Sequence, residues 1–353
     1  MLAISTTPMA FIILLVIAVG FIVYAISNRK ASSPELGSEI ELAANRKPYY
    51  DDEVLEGRRL ERVQFIGLLF LIVSVVGLPL YWILEPSRQA GAQEHSDNRA
   101  IGWGKELFAP TSEGGFNCAG CHGGMTGSGG VAVWANTDPK TNLVTSVNWF
   151  APALNTVLYR FSEDEVRFIL VYGRPFSPMS PWGLDGGGPM NAQQINNLIA
   201  YLTSIQVDRA GCAANATSTK TCDGGTLPAE TQDEITAAAQ LTVDNKKYAS
   251  LGEALFNLDM ASGAYSCARC HTTGWSYGDP GVSGGGAMGP SLTSGAAIIK
   301  FPVESDMISF ISAGSEIGKK YGLQSQGSGR MPGFGAMLTD EQIKLIVEYV
   351  RGL

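Results

Sequence analysis

Histidine is nearly absent from this sequence of 353 residues, which contains only His95, His122 and His271. Two of the three close a Cys-x-x-Cys-His pentad, so only His95 is left for any other role. A site that needs several imidazoles, such as a binuclear copper centre, is therefore excluded. We expect His95, which lies in a polar stretch, to be exposed and without a ligand role.

Charge is sparse as well, at 16% of the residues, and the formal net charge is -8. Proteins that bind nucleic acid carry a basic face, so this acidic balance argues against nucleic acid as a partner. Glycine is abundant, with 42 residues, and hydrophobic residues make up 45% of the chain. This apolar content excludes a disordered glycine-rich chain and indicates folded domains whose loops wrap a flat apolar cofactor.

The two pentads, Cys118–His122 and Cys267–His271, are the most specific motifs of the chain. In each, two thiols one helical turn apart are placed to add to the two vinyl groups of one haem, and the following histidine supplies the proximal iron ligand. A zinc site would need two more ligands near each cysteine pair, and none follows at zinc spacing. A redox dithiol would need neither the fixed histidine nor a second copy. We therefore predict two covalently bound haem c groups, held by Cys118, Cys121 and His122 and by Cys267, Cys270 and His271.

Cys212 and Cys222 are the two cysteines outside the pentads, in a polar segment. A disulfide between them would close a short surface loop and would require an oxidising compartment, whereas the alternative is a pair of free thiols. Thioether attachment of haem is in general carried out outside the bacterial cytoplasm. Both observations predict that the C-terminal part of the chain lies outside the cytoplasm.

Two apolar runs, residues 8–27 and 63–84, contain no charged side chain and are each long enough to cross a bilayer. The loop between them, residues 28–62, is the most basic part of the chain, so the positive-inside rule places it in the cytoplasm. A cleaved signal peptide would carry a basic residue before its apolar run, and the first one here is Arg29. We therefore predict a retained two-helix anchor over residues 1–86, with both termini on the outer side of a bacterial cell membrane.

An internal repeat divides the rest of the chain. Gln194 and Tyr201 match Gln342 and Tyr349 at one offset, in the predicted last helix of each copy. The predicted parts are a first domain at residues 97–207, a linker at residues 208–244 and a second domain at residues 245–353.

Local signals predict the helices of the first copy. Ser162, followed by three acidic residues, marks the start of a helix that ends at Gly173, and Asn191 marks the start of the last helix. Residues 87–96 are predicted to be a polar connector, and residues 100–108 a short helix that leads to the first pentad.

Two methionines, Met179 and Met331, are the predicted sixth ligands of the irons. Each lies before the last helix in a loop rich in proline and glycine, residues 174–183 and 329–335. A stiff loop can hold a thioether sulfur over the ring, and a thioether ligand favours the ferrous state. The other methionines are expected to be packing residues.

In these motifs the chain resembles the class I cytochrome c family, which has a Cys-x-x-Cys-His pentad, a Pro-x-Leu segment and a methionine loop before a last helix with a tyrosine. The resemblance implies that the carbonyl groups of Pro152 and Pro290 accept a hydrogen bond from the ligand histidines. It also implies an all-α fold, with an N-terminal transmembrane helical hairpin followed by two class I cytochrome c domains.

The tandem arrangement is similar to the dihaem cytochrome c subunit of actinobacterial menaquinol–cytochrome c reductase, although that subunit carries a C-terminal anchor. The N-terminal hairpin instead resembles the anchor of cytochrome oxidase subunit II. The resemblance implies a respiratory electron carrier without a catalytic site of its own. Its expected partners are cytochrome b, a Rieske protein and a terminal oxidase.

Three other functions stay open on the sequence. The chain fits a cytochrome subunit of a terminal oxidase or of a periplasmic dehydrogenase. A dihaem peroxidase would need one iron with an open or displaceable sixth site and acid–base groups nearby, whereas both copies offer a methionine loop and histidine is scarce.

Overall fold

The computed structural model describes residues 15–16, 19–24, 26, 55–137, 141–174, 177–207, 225–315 and 330–353. The chain divides into two compact units, Met1–His95 and Ser96–Leu353. Cys212 and Cys222, for which we predicted a disulfide, lie outside the described residues, as does most of the predicted cytoplasmic loop.

Among the described residues, one helical run is long and apolar enough to cross a membrane, Gly57–Phe108, which begins in the first unit and ends in the second. It consists of a π-helical turn, Leu55–Arg59, helix α1, Leu60–Ile72, a second π-helical turn, Val73–Gly77, and helix α2, Leu78–Phe108. The described residues of the predicted first span are helical as well. The ring of Tyr24 stacks on that of Phe65, with 6.3 Å between centroids.

The prediction of a polar connector at residues 87–96 was wrong, because these residues are helical and α2 continues through them. Pro86 favoured a break, but the surrounding side chains support the helix. Arg88 and Gln89 both donate hydrogen bonds to the Glu85 carboxylate one turn earlier, and Ser87 Oγ donates to the Leu84 carbonyl. The predicted short helix at residues 100–108 is therefore the end of a much longer one.

The second unit has a first half, which we define as residues 96–207, and a second half, residues 225–353. The helices of the first half after α2 are α3, Cys118–His122, α4, Glu163–Tyr172, and α5, Ala192–Ser204. Those of the second half are α6, Ala229–Asp244, α7, Leu251–Phe256, α8, Met260–Gly263, α9, Ala268–His271, α10, Ala296–Lys300, α11, Glu304–Ala313, and α12, Asp340–Arg351. The predicted start signals are confirmed, since the side chains of Ser162 and Asn191 accept hydrogen bonds in capping boxes at the first turns of α4 and α5.

The prediction of an all-α fold was wrong in one place. Strands β1, Gly130–Thr137, and β2, Val144–Ala151, form an antiparallel hairpin in which Gly130 lies opposite Ala151 and Thr137 opposite Val144. Both strands are rich in β-branched and aromatic residues, which favour a pleated surface. The all-α prediction took no account of this strand-favouring composition.

Helix α6 lies within the stretch that we predicted as a linker, residues 208–244. Ile235 and Ala239 on this helix are fully buried in the core of the second half. The side chain of Gln342 on α12 donates a 2.9 Å hydrogen bond to the Gln232 carbonyl on α6. The acidic residues of this helix, Glu230, Asp233, Glu234 and Asp244, are exposed, while its other face is buried in the fold.

The two halves repeat one helix crossing. In the first half Gly104 of α2 lies against the backbone of Asn197 on α5, and the rings of Phe108 and Tyr201 are 5.2 Å apart. At Gly104 the neighbouring helix comes so close that no side chain fits between the two backbones.

The second half has the same arrangement at the same offset along the chain. Gly252 of α7 lies against the backbone of Leu345 on α12, and the rings of Phe256 and Tyr349 are 5.4 Å apart. The helix before each pentad is thereby fixed against the last helix of its half.

A prediction follows from this crossing. A Cβ atom at Gly104 would lie 1.9 Å from the Asn197 carbonyl oxygen, whereas a Cβ atom at Gly102, two residues earlier in the same helix, has no neighbour within 4 Å. We expect Gly104→Ala to destabilise the protein by about 1–3 kcal/mol through overpacking. The matched control Gly102→Ala should be neutral or stabilising by up to about 1 kcal/mol. Thermal unfolding of the detergent-solubilised full chain measures both, and equal effects of the two changes would contradict the close crossing.

Candidate functional site

The first pentad forms the short helix α3, and the end of α2 holds it in place. The backbone N–H of Phe116 donates to the Leu107 carbonyl, and that of Asn117 donates to the Ala109 carbonyl, both at 2.9 Å. Asn117 adopts a left-handed conformation, with φ 63°, which lets the chain turn from α2 into α3. Cys118 and Cys121 therefore stand one helical turn apart.

The second pentad is held in the same way by the helix that precedes it. The Phe256 carbonyl at the end of α7 accepts hydrogen bonds from the Cys267 N–H, at 3.1 Å, and from Ser266 Oγ, at 3.0 Å. The Cys267 carbonyl in turn accepts from the His271 N–H at 3.0 Å. In both halves, carbonyl groups at the end of an earlier helix thus hold the start of the pentad by hydrogen bonds.

None of the four pentad cysteines forms a disulfide bond. Burial raises the pKa of Cys118 to about 11 and that of Cys267 to about 12, so both remain protonated at neutral pH. Reactive dithiols and zinc ligands are thiolates, which these surroundings disfavour. In the described part of the chain no three His, Cys, Asp or Glu side chains are grouped to hold a metal ion. A neutral thiol suits thioether formation, in which S–H adds across a vinyl double bond.

Each pentad histidine is oriented by one hydrogen bond. His122 Nδ1 lies 2.9 Å from the Pro152 carbonyl oxygen, and His271 Nδ1 lies 2.8 Å from that of Pro290. A carbonyl can only accept, so Nδ1 carries the proton and the Nε2 lone pair is available for a metal. These are the two contacts that the class I cytochrome c resemblance implied.

The surroundings also keep both imidazoles neutral. Burial lowers the pKa of His122 to about 4, against a raising effect of the hydrogen bond to Pro152, and burial likewise lowers the pKa of His271. A histidine whose pKa is lowered stays uncharged down to more acidic pH than usual. Both side chains are therefore in the state that binds iron.

The described ends of the loops with Met179 and Met331 share two backbone features. The helix before each loop ends at a glycine with positive φ, Gly173 at 72° and Gly314 at 77°. The next residue, Arg174 or Ser315, donates its N–H to the methionine carbonyl, at 2.8 and 3.0 Å. A Cβ atom on either glycine would lie within 3 Å of that carbonyl oxygen, so the glycine is required for the loop to return there.

Met179 and Met331 are more exposed to solvent than the two other methionines near the last helices. Met179 and Met331 are half-buried, whereas Met190 and Met337 are fully buried in the two cores. The structure thus makes Met179 and Met331 equivalent by position and leaves their side chains accessible. Pro175, Phe176 and Gly329 of these loops lie outside the described residues.

Sequence reasoning missed a group of three arginines, Arg160, Arg174 and Arg269, that lie close enough to lower one another's pKa. Arg160 is buried, its Nη2 donates to the Ala153 carbonyl at 2.8 Å, and its Nε has no hydrogen-bond partner. The guanidinium groups of Arg160 and Arg174 lie 5.9 and 5.3 Å from the ring centroid of Phe161. Burial, followed by repulsion from Arg269, lowers the pKa of Arg160 to about 10. Haem carries two carboxylates, and a buried cation with an unpaired N–H fits such a group.

Arg330, beside Met331, joins the two halves. It forms an ion pair with Glu165 of α4, in which Nη2 lies 3.0 Å from Oε2. The same Nη2 donates to the Arg160 carbonyl, and Nη1 donates to the Met331 carbonyl, both at 3.4 Å. The methionine loop of the second half is therefore attached to the helix that precedes the methionine loop of the first.

Comparison with known proteins gives one match. Residues 252–350 match the family model described as cytochrome C oxidase, cbb3-type, subunit III, and this segment contains Cys267, Cys270, His271 and Met331. No curated protein and no solved structure matches the chain. The second half therefore contains a cytochrome c domain, which implies covalently bound haem c and electron transfer by a haem cytochrome.

The two methionines can be tested as axial ligands. We expect Met179→Ala and Met331→Ala each to lower one midpoint potential and to convert one haem to high spin, because the thioether stabilises the ferrous iron. Optical spectra and redox titration measure both effects.

The matched controls are Met190→Leu and Met337→Leu, which replace buried methionines by a residue of similar volume and should leave both haems low spin. A Met179 or Met331 variant with unchanged spectra and potentials would show that the ligand is another residue.

Proposed function

We propose that the chain is a membrane-anchored dihaem cytochrome c that passes electrons from a quinol-oxidising cytochrome bc-type complex to a terminal oxidase. One observation supports the proposal of a second haem: the first half repeats the features of the site in the matched domain. The first pentad also receives hydrogen bonds at the end of an earlier helix, and its histidine also contacts a proline carbonyl. A loop with a glycine and a methionine follows it, as in the matched domain. The crossing of Gly104 and Gly252 with the last helices supports the same repeat.

Residues 1–86 are proposed to be the anchor, a helical hairpin whose connecting loop is cytoplasmic. The run Gly57–Phe108 supplies one span. The helical residues around Tyr24 and the stacking of Tyr24 on Phe65 support a second. The basic loop between the spans then places both haem domains on the outer side of the membrane, where thioether attachment takes place.

Haem, when bound, supplies the one-electron redox change of its iron. The residues of the chain bind it, orient it and exclude water. The cysteines would hold the group covalently, the proline carbonyls keep His122 and His271 in the tautomer that presents Nε2, and Met179 and Met331 would supply the second ligands. The proposed role is outer-sphere electron transfer, without a catalytic site on this chain.

A second candidate has a specific observation in its favour. The family model that matches residues 252–350 is described as a subunit of a cbb3-type cytochrome c oxidase. The chain would then be the cytochrome subunit of a terminal oxidase, and would deliver electrons to the oxidase in whose complex it resides. The chemistry of the two haem sites is the same in both proposals, and only the neighbouring subunits differ.

Isolation of the native complex through this chain distinguishes the two proposals. We expect cytochrome b and a Rieske protein to co-purify, and we expect added quinol to reduce haem c in the complex without added soluble cytochrome c. Mass spectrometry and absorption spectra give the two readouts. Co-purification with oxidase subunits alone, together with no reduction by quinol, would replace the first proposal by the second. Peroxide turnover by the purified chain would contradict both.

A further inference from the structure

Arg269 occupies a variable position of the second pentad, where the first pentad has Gly120. Its guanidinium bridges two backbone carbonyls: Nη1 donates to Ser262 at 2.7 Å, and Nη2 donates to Phe150 at 2.6 Å. Phe150 is in the first half, two residues before Pro152. A residue of the second pentad thus binds the segment that orients the histidine of the first.

The segment Phe150–Ala153 has further support from the second half. The Ala153 N–H donates to the Ala261 carbonyl at 3.1 Å. The ring of Phe150 meets that of Trp275 edge to face, with centroids 5.7 Å apart and an interplanar angle of 62°. Together with the Arg269 hydrogen bond, these contacts attach Phe150 and Ala153 to the second half, and Pro152 lies between these two residues in the chain.

The corresponding segment of the second half has hydrogen bonds within its own half. Gly289 N–H donates to the Cys270 carbonyl at 2.7 Å, and Leu292 N–H donates to the Gly284 carbonyl, also at 2.7 Å. Both partners lie in the second half itself. The contacts of Arg269 thus run from the second pentad to the segment that orients the first histidine.

We propose that Arg269 is a positioning residue for His122, the proximal ligand of the other haem, and acts by holding the Phe150–Pro152 segment that accepts the His122 hydrogen bond. This inference rests on the proposed function, since it requires a haem at each pentad. The hydrogen bond to a carbonyl orients a ligand imidazole and raises its basicity, and a more basic ligand favours the ferric iron. Loosening the segment should therefore raise the midpoint potential of haem one.

Loss of the Arg269 charge and loss of its two hydrogen bonds would shift the midpoint potential of haem one in opposite directions, so the test separates the two effects. Loss of a nearby positive charge would disfavour the ferrous state and lower the midpoint potential. Arg269→Lys keeps the charge, but a single ammonium cannot reproduce the planar fork that reaches Ser262 and Phe150 together. We expect this variant to raise the midpoint of haem one and to leave that of haem two unchanged.

The experiment is a redox titration of the full-length holo-protein in detergent, with the haem-one wave identified by its shift in Met179→Ala. Hydrogen exchange of the peptide that contains Phe150–Ala153 gives a second readout and should become faster in Arg269→Lys. The matched control is Arg351→Lys, because Arg351 also donates to two successive carbonyls, at Phe301 and Pro302, away from both pentads. It should change neither midpoint.

Phe150→Leu supplies an independent variant, since it alters no charge, removes the ring contact with Trp275 and lies outside both pentads. It should shift haem one in the same direction. Unchanged haem-one midpoints in Arg269→Lys and Phe150→Leu, with two haems present per chain, would overturn this inference alone. A wild-type protein with fewer than two haems would instead overturn the proposed function on which it rests.

Discussion

One hydrogen bond, from a histidine Nδ1 to a proline carbonyl, determines what each pentad can do. It assigns the proton to Nδ1 and leaves the Nε2 lone pair of His122 and His271 for a metal, while burial keeps both rings neutral. Each proline carbonyl must therefore keep its position, and contacts of the backbone that precedes the proline hold it there. The chain before Pro152 is the end of a β-strand that Arg269 and Trp275 fix, and the chain before Pro290 is tied to the second pentad itself.

The two halves form one compact unit, and described residues of each contact the other. Tyr159 of the first half is buried in the core of the second, and its hydroxyl donates to the Val207 carbonyl at 2.8 Å. Glu165 of helix α4 and Arg330 form an ion pair that attaches the second methionine loop to the first half. If each pentad holds a haem, as we propose, the shared core would keep the two irons at a fixed distance, on which the rate of electron transfer depends steeply.

Features set by local chemistry could be predicted from the sequence. The capping residues Ser162 and Asn191 act within one turn, and the pentads and the methionine loops are short motifs with their own geometry. The glycine–phenylalanine pairs that precede the pentads, Gly104 with Phe108 and Gly252 with Phe256, carried a signal in their common spacing that we did not use. The helix through Pro86 was missed because proline normally ends a helix, and the flanking side-chain pairs outweighed it.

Contacts between distant residues could not be predicted in this way. Nothing in the residues around Arg269 indicates that its partner is Phe150, and the hairpin that brings Phe150 there was itself missed. The central claim, one covalent haem at each pentad, is tested most directly by a pyridine haemochrome titration of the purified chain after extraction with acidified acetone. Two haems per chain that resist extraction, and one in a Cys118→Ser, Cys121→Ser double variant, are the predicted result. One extractable haem, or none, in the unaltered chain would contradict the account.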